Sequence, residues 1–189
     1  SKNDVTAQFT VKTEDGQLNI TKRSVVLKSE TAEKEYDGTA LTAKEITVGG
    51  DGFVTGEGAS YNVTGTQTVA GSSKNTFTYT LSDKTKAKNY EVTTVPGTLT
   101  VTNRSVKYPI TVTAKSGSMT YDGQPVTMSG LEKTTFTVEG KIYTVSGLTV
   151  AATATDAGTY PVVVEGTAVV TDAAGNDVTA QFAVEKING

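Results

Sequence analysis

The stretch Gly97-Thr98-Leu99-Thr100-Val101-Thr102-Asn103-Arg104-Ser105-Val106 decides the fold, because the chain has already used it once. Gly16-Gln17-Leu18-Asn19-Ile20-Thr21-Lys22-Arg23-Ser24-Val25 aligns with it without a gap, and six of the ten positions are identical. In both copies apolar residues alternate with polar ones: Leu99 and Val101 stand between Thr98, Thr100 and Thr102. Alternation with period two marks a strand that turns one face to a core. The chain is therefore built from a repeated unit that contains this strand.

Two further repeats set the organisation. Asn3-Asp4-Val5-Thr6-Ala7-Gln8-Phe9 returns unchanged as Asn176-Asp177-Val178-Thr179-Ala180-Gln181-Phe182, in a register that holds on to Gly16 and Gly189. Tyr36-Asp37-Gly38 returns as Tyr121-Asp122-Gly123, each downstream of a Lys-Ser pair, Lys28-Ser29 and Lys115-Ser116. Such spacing fits small β domains in tandem. Module 1 is expected at 24–104 and module 2 at 105–189. Residues 1–23 read as the closing strands of a preceding repeat, and module 2 as lacking its final strand. The spare strand is expected either to join the sheet of module 1 or to fill the vacant edge of a neighbouring molecule.

Composition agrees. Of 189 residues, 36 are Thr and 24 are Val, and β-branched side chains suit strands and lose rotamer freedom in helices. Cys and His are absent. That excludes disulfides, the usual zinc and haem ligands, and Ser-His-Asp or Cys-His catalysis. No cofactor, no metal and no enzyme activity are expected. Leu, Ile, Val and Phe together number 41, enough for two thin cores rather than one deep one. A net charge of -3 without a basic cluster argues against nucleic acid as a partner, since phosphate binding needs a Lys- and Arg-rich face. No apolar run approaches the roughly 20 residues that span a bilayer, so membrane insertion is not expected.

Local patterns fill in the strands. Ile110, Val112 and Ala114 share one face opposite Thr111 and Thr113, and Phe77, Tyr79 and Leu81 alternate with Thr78 and Thr80. Thr135–Thr144 reads as a hairpin turning at Glu139-Gly140. The continuous run Val162-Val163-Val164 predicts a strand buried on both faces. Asp-Gly pairs at 15–16, 37–38, 51–52 and 122–123 predict turns. The best helix candidate, Asp83–Asn89, has no apolar stripe. The expected fold is all-β: two consecutive small antiparallel modules of immunoglobulin-like sandwich type, or a β-grasp-like arrangement.

Candidate sites are few. Tyr36, Asp37 and Gly38, with Tyr121, Asp122 and Gly123, read first as structural turns. As ligand contacts they would pair a ring for sugar stacking with a carboxylate. The loop Gly49–Gly58 adds Asp51 and Glu57 as candidate contacts, too few carboxylates for calcium. An intramolecular isopeptide bond would need an early Lys and a late Asn in each module. Lys28 with Asn103, and Lys115 with Asn188, have that order. The triplets at Asn19, Asn62 and Asn103 match the glycosylation sequon, as chance provides in a chain rich in Thr and Asn.

One resemblance covers nearly the whole chain. Lys-Ser followed by Tyr-Asp-Gly, Ala157-Gly158-Thr159-Tyr160, and the run from Asn89-Tyr90 to Gly97-Thr98-Leu99-Thr100-Val101 resemble the MBG/YDG-type tandem repeats of large bacterial surface adhesins. Module 1 departs from the pattern with Ser72–Thr76 after Ala70-Gly71. Module 2 departs with Asp177–Phe182 where module 1 has Asn89–Val92. The resemblance implies an extracellular, often wall-anchored repeat array and brings no catalytic residue. Its copies serve as spacers whose partners are neighbouring repeats, or as units that bind a host glycan or glycoprotein.

Overall fold

A computed structural model describes the whole chain, Ser1–Gly189. It is all-β, with no α-helix. The first eight strands are β1 (Arg23–Ser29), β2 (Ala32–Glu35), β3 (Ile46–Gly50), β4 (Ala59–Val63), β5 (Gly71–Asn75), β6 (Phe77–Leu81), β7 (Tyr90–Val95) and β8 (Gly97–Thr102). They form two small sheets, β3-β1-β7 and β2-β8-β5, and a β4-β6 ribbon. The next six are β9 (Tyr108–Thr113), β10 (Val126–Ser129), β11 (Thr135–Val138), β12 (Lys141–Ala154), β13 (Val163–Asp172) and β14 (Phe182–Ile187). Here β10-β12-β11 carries β13 on the long strand β12, and β14 pairs with β9.

Each module closes by laying its last long strand parallel to its first: Arg23 opposite Tyr90 in module 1, Tyr108 opposite Phe182 in module 2. The sheets are thus mostly antiparallel, with parallel ladders where each module closes. The parallel closure is shared with a β-grasp, but no helix packs across it. In module 1 the pair continues past this ladder. β1 passes to β2 and β7 to β8, and the two strands change sheets together and pair again, with Ala32 opposite Leu99. Gly97 sits at the change, where a Cβ would strike the carbonyl oxygens of Ser29 and Glu30. The Ser29 hydroxyl accepts from Gly97 N at 2.9 Å and donates to Asn75 O at 2.6 Å. Asn75 Nδ2 donates to Glu30 O and Ala43 O, both at 2.9 Å. Buried backbone groups freed by the bend are thereby satisfied.

The two cores are thin and unequal. Module 1 buries Val25, Leu27 and Tyr90 under a rim of half-buried aromatics such as Phe53, Tyr61 and Phe77. The larger cluster lies in module 2 and reaches across the boundary to take in Tyr36 and Val101. Alternation is realised at Leu99 and Val101, and at Ile110, Val112 and Ala114, all buried. The β11–β12 hairpin turns at Glu139 and Gly140, both at positive φ, as a primed two-residue turn requires. Gly38, Gly52 and Gly123 of the Asp-Gly pairs also take positive φ. One expectation fails. Val163 points outward between buried Val162 and Val164, because successive strand residues face opposite sides and only the Val162 and Val164 side packs on the core. Asp83–Asn89 forms only a 3-10 turn at Ala87–Asn89, having no apolar stripe to hold a longer helix.

The N-terminal segment behaves unlike its copies. Residues 1–22 belong to no strand, and all are exposed. The expectation that they join the sheet of module 1 is overturned: β3 and β7 already flank β1, and β2 and β5 flank β8. Locally the segment still folds as its sequence directs. Thr6–Gln8 makes a 3-10 turn held by Asp4 Oδ1, which accepts from Thr6 N at 2.9 Å. Thr179–Gln181 makes the same turn with Asp177 in the same role, also at 2.9 Å.

Leu18 and Leu99 occupy one motif position in two environments, 88% and 0% exposed. Leu99→Ala is expected to cost about 2–5 kcal/mol, the transfer and cavity loss of a buried leucine. Leu18→Ala should change stability by no more than about 0.5 kcal/mol. Urea unfolding of the two variants in dilute solution checks this, and equal losses would contradict it.

Candidate functional site

Two places gather polar and aromatic side chains: the joint between the modules and an open cleft at the far end of module 2.

The joint is built on the first Tyr-Asp-Gly turn. Asp37 Oδ1 accepts from Thr39 N at 2.8 Å, which fixes the turn. It also pairs with Lys34 Nζ at 2.8 Å. Burial pushes the Asp37 carboxyl up, but the hydrogen bonds of Lys34 and Thr39 and the Lys34 charge outweigh it and hold the group well below the usual carboxylate range. Gly38 takes positive φ and faces the Lys141 side chain and the Tyr143 hydroxyl, which leave no room for a Cβ. Tyr36 is carried inward, 1% exposed, with its hydroxyl 3.4 Å from that of Tyr143. Tyr143 stands edge-on to Phe182 at 4.7 Å between centroids.

The connection from module 1 to module 2 is pinned by Arg104. Its Nη1 donates to Tyr36 O at 3.2 Å and its Nε to Val106 O at 2.9 Å. The guanidinium carbon lies 3.9 Å from the centre of the Tyr108 ring, a cation–π contact. Arg104 N donates to Gln181 Oε1 at 3.0 Å, and Gln181 Nε2 donates to Asn103 Oδ1 at 2.6 Å. Tyr108 donates to Glu139 Oε2 at 2.6 Å. Burial, and then that hydrogen bond, push the Tyr108 phenol up to about 12. The connection has partners at nearly every residue. Arg104, Tyr108, Tyr143 and Gln181 were not singled out in the sequence. The repeats nonetheless contain two of them, Arg104 in the copy of Gly16–Val25 and Gln181 in the copy of Asn3–Phe9.

Several sequence candidates are corrected here. Tyr36 is 1% exposed and packs inside the joint rather than at the surface. In the Gly49–Gly58 loop, Asp51 Oδ2 accepts from Ser24 N at 3.2 Å, and Glu57 accepts from the Tyr90 hydroxyl. Both carboxylates fasten the loop to β1 and β7 rather than wait for a ligand. Lys28 and Lys115 are exposed, whereas an isopeptide bond needs a desolvated, neutral amine. Lys28 lies opposite Val95, eight residues before Asn103 along the chain. Asn103 is held by Gln181, and Asn188 Oδ1 accepts from Val164 N at 3.0 Å. No group of three or more Asp or Glu residues gathers where it could hold a metal ion, and no helix is long and apolar enough to cross a membrane.

The second Tyr-Asp-Gly turn has the same local form, with Asp122 Oδ1 accepting from Gln124 N at 2.9 Å. Its surroundings are the reverse. Tyr121 is 65% exposed. It lines a cleft of about 620 Å³ between the segments 116–122 and 156–162, closed at one end by Gly189. Met119 and Tyr160 share the lining and are also exposed. Neither wall belongs to a strand.

The Tyr108 phenol sets an alkaline limit. Its pKa is about 10 in the unfolded chain and about 12 in the fold. Its stabilising contribution is therefore complete below pH about 10 and is lost as pH rises toward 12. Ultraviolet titration of the wild type and Tyr108→Phe should differ by a tyrosine that ionises after the exposed ones. A difference spectrum centred at pH 10 would contradict the geometry.

Comparison with known proteins finds no match to a family model, to a curated protein or to a solved structure.

Proposed function

We propose that this chain is a structural spacer, two links of a repeat array in a bacterial cell-surface adhesin, with no catalytic role. The observation that carries the reading is the joint. Residues 103–107 connect the modules without a Gly- or Ser-rich linker, and Arg104, Tyr108 and Gln181 secure the connection through buried or stacked contacts. A joint of this kind resists bending, whereas flexible linkers behave as coils. A spacer needs reach and stiffness. Thr-rich outer faces and the absence of Cys and His suit a module exposed to an oxidising exterior. The resemblance to MBG/YDG repeats points the same way, to an extracellular, wall-anchored parent.

A second reading has one observation in its favour. Tyr121 and Tyr160 stand exposed in a cleft beside Asp122 and Asp156, a set of rings and carboxylates that would suit a glycan.

Small-angle scattering and mucin or glycan-array binding separate the two. The spacer reading expects one rigid elongated particle, loosened by Tyr36→Ala or Arg104→Ala, and no saturable binding. Saturable glycan binding that Tyr121→Ala abolishes would replace it with the host-binding reading.

A further inference from the structure

Module 1 takes in the chain at Arg23 and passes it on at Thr102, and these points lie at opposite ends of one parallel pair. Arg23–Lys28 runs beside Tyr90–Val95, and Ala32–Glu35 then runs beside Leu99–Thr102 in the same sense. Tension on the chain therefore draws β1 and β2 one way and β7 and β8 the other, along the strands. Ladder hydrogen bonds lie across the strands, so a lengthwise pull strains all of them together. A crosswise pull would open them one at a time.

Both ends of the pair are fastened. At the entry, Arg23 Nε donates to Gly52 O at 2.8 Å and Asp51 N donates to Ser24 O at 2.9 Å. At the exit, Tyr36 N donates to Thr102 O at 2.9 Å. Arg104 Nη1 donates to Tyr36 O and Ser105 N to Glu35 Oε1, each at 3.2 Å. β9 and β14 repeat the parallel arrangement in module 2.

Two features keep the pair from creeping. A slip of one residue, about 3.3 Å, turns every side chain to the opposite face. It would carry Leu99 and Val101, both buried, outward and bring Thr98 and Thr100 inward. The second feature is the change of sheets. β7 passes into β8 at Gly97, where the carbonyl oxygens of Ser29 and Glu30 stand in the place of a Cβ. Tension moves β8 toward its own C-terminal end and draws Pro96 into the position of Gly97. Pro96 is exposed where it stands, but its ring and Cβ have no room at the crossing. A position that only glycine fits is thus followed, under load, by a residue that cannot enter it.

We propose that module 1 is a load-bearing link, in which the parallel pair carries tension in shear and the Pro96-Gly97 step is the stop against sliding. Forced unfolding follows the unfolding rate rather than the equilibrium stability. A stop that engages only when the strands move therefore raises the rupture force while adding nothing to the fold at rest. The purpose of such a link rests on the spacer reading, whereas the shear geometry stands on the strand pairing alone.

Single-molecule pulling on the full chain tests it. The chain has no Cys, so handles attach only at introduced pairs. Lys22→Cys with Lys107→Cys loads the strands lengthwise. Lys22→Cys with Lys88→Cys pulls crosswise, at the end where Arg23 lies opposite Tyr90. All three lysines are exposed. At one loading rate the lengthwise rupture force is expected to be several-fold the crosswise force. Pro96→Gly should lower the lengthwise force, while Pro96→Ala, which keeps a Cβ to strike the crossing, should hold it. Neither should change the crosswise force. Equal forces in the two directions overturn the proposal. So does a Pro96→Gly chain that matches the wild type or the Pro96→Ala chain, or that weakens crosswise as much as lengthwise. Saturable glycan binding would replace the spacer reading and leave these forces as they are.

Discussion

Everything in this fold depends on how a module's last strands lie against its first. β1 and β7 pair in parallel and then change sheets side by side, so β8 meets β2 at the point where β7 leaves β1. Parallel neighbours in one sheet cannot be joined by a tight turn. The whole module must be threaded between them, and the core is whatever that loop of chain encloses. The bend demands Gly97, because two carbonyls occupy the space of a Cβ, and it demands Ser29 to satisfy the amide of Gly97. With that closure made, Leu99 and Val101 are sealed. In module 2 Met119, Tyr121 and Tyr160 line an open cleft and are exposed.

The same logic makes the joint. Because β8 runs out of module 1 toward module 2, its end delivers Val101 and Arg104 to the boundary, and β2 alongside delivers Tyr36. Module 2 answers with Tyr143, Phe182 and the turn carrying Gln181. Module 1 has only three fully buried apolar residues in its own cluster, while the larger cluster bridges the boundary. The modules are thus stabilised as a pair. An array of such units gains stability from each interface as well as from each unit, as in other repeat architectures.

How much of this was legible in the sequence differs by scale. Alternation placed Leu99, Val101, Ile110 and Val112 on inward faces, and the Glu139-Gly140 turn followed from the need for positive φ. The Asp4 and Asp177 turns have one sequence and one local geometry. Yet Phe9 is 68% exposed and Phe182 is 4% exposed. Local chemistry repeats with the sequence, whereas burial is decided by which strand lies across the way. For the same reason Tyr36 and Tyr121 share a motif but not a role. Tyr36 packs against Tyr143 of module 2, while Tyr121 lines an open cleft. Parallel closure was not legible either, since period-two alternation reports a strand's faces and not its neighbours' direction. Among site candidates, Asp51 and Glu57 looked free because their partners, Ser24 N and the Tyr90 hydroxyl, lie far along the chain.

Amide hydrogen exchange of the dilute 189-residue chain tests the central claim, that β8 closes module 1 between β2 and β5 while its sequence copy at 16–21 pairs with nothing in the same molecule. The account predicts that Leu99 and Val101 exchange only as module 1 unfolds, while Leu18, Ile20, Gly158 and Tyr160 exchange at nearly the rate of unstructured chain. Protection of Leu18 and Ile20 in the monomer, or rapid exchange at Leu99 and Val101, would contradict it.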